Sequence, residues 1–575
     1  MKNCIFLFLL VCSWATIGQG QTAYYVSTKG DNQASGTLNA PWRTIQYGIE
    51  QIQPGDSLLI MEGTYYEKLD LSKSGIPGQY LTLKSYNEAE VILSGKQSRD
   101  NVPLIFIGGA FIRVEGLHIT DFKQNDAEGI SIQGTAHDIV IQNNRISQIK
   151  FSKNPNAPVN ENTNAVPLGV LGDVSPDSIY NIFLLDNELF DNQTGYSENL
   201  TLGGNVSGFV VEGNLIHDNT NIGIDVTGNY LECPDPHYDH ARNGVIRKNT
   251  VFNCYAEYST AAGIYIDGGW NIIVENNVTH HNGYGGEIGC EENGETRHVT
   301  FRNNIFYNNR IAGMHIGGYD RNTTGNVIQS AVRNNTFYHN DINETYNGEL
   351  ILSQSVDCSI ENNLFYLSTQ NVYLAMDRTQ KGLKFDYNLV FADAGKQSIM
   401  TAGNIEVEGL DVFYRKSGYG MHDTWGNPQF FDAGKDFHLS PGSPAINAGN
   451  PVYTAATGEK DLDGQNRINE GRVDCGADEF YVSTRAITEG VEHKNSPWIY
   501  PLPAGDYIFI SGLNPSWESY RISTLDGKII RESRWRLGGG LVHEKGIDIS
   551  DLSPGTYLIL LRKNKLNYTI PFVKL

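Results

Sequence analysis

Carboxylates recur on three successive glycine-led lines of this chain, GIDVTG (223–228), GIYIDGG (263–269) and GGEIGCEE (285–292). One and three steps after the leading glycine the residues are mostly apolar: Ile224/Val226, Ile264/Ile266 and Gly286/Ile288. The step between carries Asp225, Tyr265 or Glu287. Such alternation marks a strand with one buried and one exposed face. Two later lines continue it, GMHIGG with His315 and NGELIL with Glu349. Stacked in order, Asp225, Tyr265, Glu287, His315 and Glu349 form an outward-facing column, with Asp267 one step further along its strand and Glu291 nearby. A one-residue slip in register would turn Asp225 and Glu287 inward.

Paired carboxylates do acid and base work in glycoside cleavage. With coils about 4.8 Å apart and two residues spanning about 6.6 Å, Asp267 lies about 8 Å from Glu287 and from Asp225. Inverting hydrolases use separations of roughly 6.5–9.5 Å. Closely stacked acids also raise one another's pKa, which suits a protonated donor. On this reading Asp267 and Glu287 are the acid/base pair and Asp225 assists. Two alternatives stand beside it: calcium held by Asp225, Glu287 and Glu291, or a solvated acidic face. A uronate lyase or epimerase must neutralise its substrate's carboxylate, so calcium would have to sit among the acids, and Arg242, Arg247 or Lys248 would have to face the groove. A non-catalytic glycan-binding or adhesion surface is the reading from another class.

Around the column, Trp270 and Tyr319 are candidates to stack on sugar faces or to pack under loops. His280 and His281 follow an Asn turn and read as surface residues. The loop DPHYDH (235–240) is similar to the D-P-H-D signature of mannuronan epimerases, with Tyr238 inserted between His237 and Asp239. The resemblance implies that His237 and Asp239 lie on a groove rim and contact substrate.

The elements that must hold these side chains come from a repeat. IVIQNNRI, FVVEGNLIHDN, IIVENNVTHHN, VTFRNNIFYNN and related lines share apolar alternation, then Asn, then an apolar residue. The recurring asparagines are Asn144, Asn187, Asn214, Asn249, Asn277, Asn304, Asn335, Asn363 and Asn388, spaced 25 to 35 residues apart save one 43-residue gap. That interval is one coil of a parallel β-helix plus variable loops. Asparagine tolerates left-handed backbone and its amide bonds to backbone or to its equivalent one coil away, so these residues are structural. Ahead of the repeat, Ile45, Ile49 and Ile52 fall at helical spacing before Pro54-Gly55. The opening resembles secreted right-handed parallel β-helix (pectate-lyase-like) proteins, in which an amphipathic helix caps the core. That family includes lyases, hydrolases, epimerases and binding proteins, and fold does not choose among them.

The formal charge of −22 excludes a nucleic-acid binder. Lys2, an apolar run from Ile5 to Val11 and Gly18-Gln19-Gly20 read as a signal peptide over 1–20. Beyond it are Cys233, Cys254, Cys290, Cys358 and Cys475, without metal-type spacing; Cys233 and Cys254 are the one pair to test against buried thiols.

The β-helix is expected over 21–400 and a closing region over 401–480. There, GNPQFFDAGKDFHLSPGSPAINAGNP (426–451) and DLDGQNRINEGRVDCGADEF (461–480) resemble a motif pair that closes exported bacterial β-helices. Asp461 and Asp463 lack the other ligands of a calcium loop and read as a turn. A linker is expected over 481–499 and a small β-sandwich over 500–575. Thr524-Leu525-Asp526-Gly527-Lys528, Leu552-Ser553-Pro554-Gly555-Thr556-Tyr557 and Phe572-Val573-Lys574-Leu575 resemble the C-terminal sorting domain of type-nine secretion in Bacteroidetes. The resemblance implies engagement with the outer-membrane secretion machinery and release or attachment at the cell surface. The sum is an all-β, monomeric, secreted polysaccharide-active protein, with a glycoside hydrolase as the first expectation.

Overall fold

The computed structural model describes residues 22–481, except 321, 377–379, 394–398, 403–404 and 470, together with parts of 498–574. The expected signal peptide and most of the expected linker lie outside the described residues. The chain divides into two units, Met1–Val482 and Ser483–Leu575.

In the first unit the alternating lines wind into the expected right-handed parallel β-helix. Three long sheets of 13, 13 and 15 strands run along it, and strands pair with their counterparts one coil away. One of the 13-stranded sheets carries the acidic lines and is called the groove sheet. Its relevant strands are β1 (Leu200–Gly204), β2 (Ile224–Thr227), β3 (Ala262–Asp267), β4 (Tyr284–Gly289), β5 (Ala312–Ile316) and β6 (Leu350–Leu352). Leu200, Ile224, Ile264, Gly286, Met314 and Leu350 stand in register on the inner face. At the Gly286 position Phe301 and Phe306 fill the space, so an added Cβ would lie 2.9 Å from the Phe301 ring.

The glycine that leads each line has a steric cause. A Cβ on Gly223, Gly263, Gly285 or Gly313 would sit 2.5–2.9 Å from a backbone oxygen of the next coil, closer than any side chain tolerates.

The recurring asparagines form a buried ladder inside the turn. Asn277 is typical: its backbone N–H and Nδ2 both donate to Asn304 Oδ1, at 2.9 and 3.0 Å, and Nδ2 also donates to Ile246 O at 3.0 Å. Asp423 terminates the ladder by accepting the Asn388 N–H at 2.8 Å. A second ladder runs five residues behind the first through Asn192, Asn219, Cys254, Asn282, Asn309 and Asn340. Cys254 thus occupies an asparagine's place, and it does not pair with Cys233. All five described cysteines are buried free thiols, so the disulfide weighed from sequence is not formed.

The helix α1 (Ile45–Gln51) buries Ile45 and Ile49 against the first coils, as a solenoid end requires. At the other end α2 (Leu410–Ser417) inserts Phe413 beside Tyr373 and Phe385. Residues 426–480, expected to close the helix, instead run back along its flank. Asn276 and Asn303 donate to Asp461 O and Lys460 O at 2.7 and 2.8 Å, and Phe437 packs 5.4 Å from the Tyr307 ring. The second unit holds two antiparallel sheets of three and four strands, its first described strand being Trp498–Tyr500.

Candidate active site

The outer register of the groove sheet runs Thr201, Asp225, Tyr265, Glu287, His315, Ile351. Asp267 stands two residues beyond Tyr265 on β3, opposite Gly289. From Asp225 to His315 the expected register is the observed one, but on β6 Ile351 continues the column where Glu349 was expected. The expected exposure is not met: Asp225, Tyr265, Asp267, Glu287 and His315 are each 7 % exposed or less. The loop after β2 folds back over the sheet, where Tyr230 bonds Asp267 and Glu232 accepts from Thr227, and covers a face that alternation alone would leave open. Gly289 makes room for the Tyr265 side chain, since a Cβ there would lie 2.5 Å from its hydroxyl.

Two acids are fixed by specific partners. Asp267 accepts the Glu291 N–H through Oδ1 at 2.7 Å and the Tyr230 hydroxyl through Oδ2. Glu287 Oε1 lies 2.7 Å from His315 Nδ1, and His315 Nε2 lies 3.0 Å from Ser353 Oγ. Ser353 donates its single hydroxyl hydrogen to Gly318 O at 2.8 Å, so its oxygen accepts from Nε2–H. One further proton then sits between Nδ1 and Glu287, and the pair shares it.

The remaining acids are less compensated. Asp225 has Oδ1 buried without a hydrogen-bond partner. Burial first, then the charges of Glu198, Asp267 and Glu291, hold its carboxyl well above the usual range. Burial and the neighbouring Glu291 do the same to Asp267, against the opposing bonds from Tyr230 and from the Glu291 backbone. Glu291 keeps an exposed surface, yet the protein packed around its carboxyl and then the charges of Glu287 and Glu292 raise it to about 7. Glu287 is raised by burial, and His315 opposes that rise. The charges that weigh most on these acids are those of other acids and, for Glu287, of His315.

Sequence reasoning missed three contributors. Glu198 and Glu232 are both pushed up to about 7, chiefly by burial. They accept hydrogen bonds at 3.2 Å from Thr201 and Thr227. Tyr230 is the third, through its bond to Asp267. The LTLGG line of β1 has the same grammar as its neighbours and pointed to Thr201. Glu232 and Tyr230 belong to a loop that folds back, and no local pattern announces that.

Other expectations are corrected. Glu349 does not join the column: it is fully buried and ends the second ladder, accepting Asn340 N–H and Nδ2 at 3.1 and 2.7 Å. Asp239 is buried and accepts Leu231 and Cys233 N–H at 2.6 and 2.9 Å, shaping the loop that carries Tyr230 and Glu232 instead of lining a rim. His237 is exposed on that loop. Trp270 packs between the His240 ring at 3.5 Å and the Arg297 guanidinium at 4.6 Å, so its faces are taken. Tyr319 is 74 % exposed and lies within the field of Glu291 and Asp267, at the cleft rim. Arg247 and Lys248 pair with Glu212 on another sheet, and Arg242 donates to Asn205 Oδ1 at 2.9 Å. His280 stacks half-buried between Phe252 and Tyr307, at 4.8 and 4.6 Å, where a surface position was expected.

With this geometry in view, the chain compares as follows with known proteins. Residues 498–574 match the secretion system C-terminal sorting domain, so the protein is secreted or held at the cell surface through the type-nine machinery. A Bacillus subtilis (strain 168) relative, "Uncharacterized protein YwoF", is 32 % identical over 441 residues, 73 % of this chain and 91 % of its own length. "Pectate lyase PEL9" of Emericella nidulans is 32 % identical over 75 residues, 13 % of this chain and 18 % of that protein. The crystal structure of pectate lyase Pel9A aligns with TM-score 0.43 and 14 % identity, covering 80 % of this chain and 97 % of that one. Residues 24–351 match the family described as "Pel9A-like, right handed beta helix region", and the chain belongs to that family.

Proposed function

We propose that this protein is a secreted polysaccharide-active enzyme and that its groove acids hydrolyse a glycosidic bond. The observation that carries the reading is the Asp267–Glu291 pair. A buried carboxyl, oriented by Tyr230 and by the Glu291 N–H, adjoins a rim carboxyl poised near pH 7. A general acid is most effective with a pKa near the working pH. The pair carries a single charge, which the bonds from Tyr230 and from the Glu291 N–H place on Asp267. Glu291 therefore keeps the proton and gives it to the leaving oxygen, while Asp267 acts on the opposite side as nucleophile or as base toward water. Glu291 thus takes the place of Glu287 as the partner of Asp267, because Glu287 is engaged by His315. Asp225, kept protonated by burial and by its acidic neighbours, offers a hydrogen bond to bound sugar, Glu287–His315 fixes the sheet face beside it, and Tyr319 offers a ring to sugar.

One observation favours a second reading, cation-assisted cleavage of a uronate polymer. The unpartnered Asp225 Oδ1 beside Asp267 and Glu291 suits a divalent cation such as calcium. Such an ion would offset the charge of a substrate carboxylate. The engagement of Arg242, Arg247 and Lys248 elsewhere counts against this reading, because elimination also needs a base.

Product analysis on neutral and uronic polysaccharides, with and without chelator, separates the two. New reducing ends without unsaturated products, unaffected by chelator and lost in Asp267→Asn and Glu291→Gln, support hydrolysis. Unsaturated products abolished by chelator overturn it in favour of the second reading. Binding without products points to an adhesion surface.

A further inference from the structure

Far from the groove acids in sequence, the flank segment brings a histidine and several carboxylates together. His438 lies on the strand Asp436–Leu439, Asp463 in the turn after Asp461, and Asp478 in the last described stretch of the unit. One ligand atom from each of His438, Asp463 and Asp478 lies within 4.8 Å of the others. Neither the polysaccharide chemistry nor the β-helix core needs this cluster.

Its finer arrangement is that of a metal site. The His438 Nδ1 is held by Asp436, which leaves Nε2 turned to Asp463 Oδ1 at 3.0 Å. Metal-ligating histidines almost always bond a carboxylate or carbonyl through the other ring nitrogen, which fixes the tautomer and strengthens the ligand. Asp478 uses Oδ2 to accept the Leu439 N–H at 2.8 Å, and its other oxygen is open to a ligand role. A second observation comes from Asp461, which is fully buried. Its Oδ1 accepts Asp463 and Gln465 N–H at 3.0 and 2.6 Å, while Oδ2 is buried with no partner. The Asp461 charge acts on Asp478, as do those of His438 and Asp463. Four carboxylates therefore lie around one imidazole, and the buried Arg467 guanidinium, which acts on Asp461, offsets only part of their charge. Sequence alone saw only Asp461 and Asp463 and read a turn; folding supplies the missing ligands.

We propose that His438, Asp463 and Asp478 bind one divalent transition-metal ion, with Asp461 adding negative charge and Asp436 orienting the imidazole. An imidazole with carboxylates is the donor set of zinc and its neighbours more than of calcium. The ion fastens three separate stretches of the flank segment to one another. Because Asn276 holds the Asp461 carbonyl, it also secures that segment to the coils.

The test uses the full chain carrying Asp225→Asn, so that cations in the groove do not contribute. After dialysis against chelator, zinc is titrated calorimetrically and Tm is followed. One equivalent of zinc and a rise in Tm reversed by chelator are expected. Asp463→Asn removes binding, and Asp436→Asn, which leaves all three ligands in place, weakens it about 10- to 100-fold. No zinc response, an unchanged affinity in Asp436→Asn, or a response to calcium alone overturns the proposal.

Discussion

Replacing Glu349 by glutamine should make the β-helix more stable at alkaline pH and leave it nearly unchanged in acid. Glu349 is 0 % exposed and its carboxyl is pushed from 4.5 up to about 8, chiefly by burial. Because the folded pKa lies above the unfolded one, the protonated carboxyl contributes stability that is fully present below about pH 4.5. That contribution is lost as pH rises through about 8. Integrated between pH 5 and pH 9, the loss is about 4 kcal/mol, taking 1.36 kcal/mol per unit. Glutamine mimics the protonated acid at every pH and can still accept from Asn340. Urea unfolding of wild type and Glu349→Gln at pH 5, 7 and 9 should give nearly coincident midpoints at pH 5. At pH 9 the variant should be about 4 kcal/mol more stable. Parallel pH dependences, or a variant weaker at pH 9, would falsify the assignment of Glu349 as a buried proton-bearing end of the ladder. A change in KM for the variant with stability unaltered would return Glu349 to the groove.

Three further outcomes follow from the same structure. The alkaline limb of the kcat/KM profile should fall with a midpoint near pH 7, the value to which Glu291 is pushed. Glu291→Gln should remove that limb and lower kcat about 10²- to 10⁴-fold, with much of the loss recovered on substrates carrying an acidic leaving group. Asn277→Leu leaves the buried Asn249 N–H and one Nδ2 hydrogen without the acceptor they share at 2.9 Å. At about 1–3 kcal/mol for each orphaned donor, denaturant melts should show a loss of about 2–6 kcal/mol. Reducing agent should leave Tm unchanged, because the described cysteines are free thiols; a clear drop in Tm on reduction would contradict this.

The coil, the register from Asp225 to His315 and the address of the protein were all legible in the sequence. Alternation fixes which side chains face in, and in a stacked sheet the inward row of Val226, Ile266 and Ile288 can be satisfied in one register only. The asparagine period reports a local need, a left-handed turn whose amide bonds to the next coil. Repeated needs of this kind are legible in one dimension. The second ladder was legible too, since asparagine or cysteine recurs five residues behind the first at Asn219, Cys254, Asn282, Asn309 and Asn340.

Only the tertiary structure decided what the outward residues do. Burial of Asp225, Asp267 and Glu287 depends on loops whose return over the sheet no periodicity encodes. The bonds made by Glu349 and Asp239 depend on which donors lie nearest in space, Asn340 for the one and Leu231 and Cys233 for the other. The same holds for Trp270, whose faces are covered by neighbours from adjacent coils, and for His438, which meets Asp463 and Asp478 only because the flank segment folds onto itself. A strand pattern constrains which way a side chain leaves the backbone. What it meets beyond the first few ångströms is set by long-range packing.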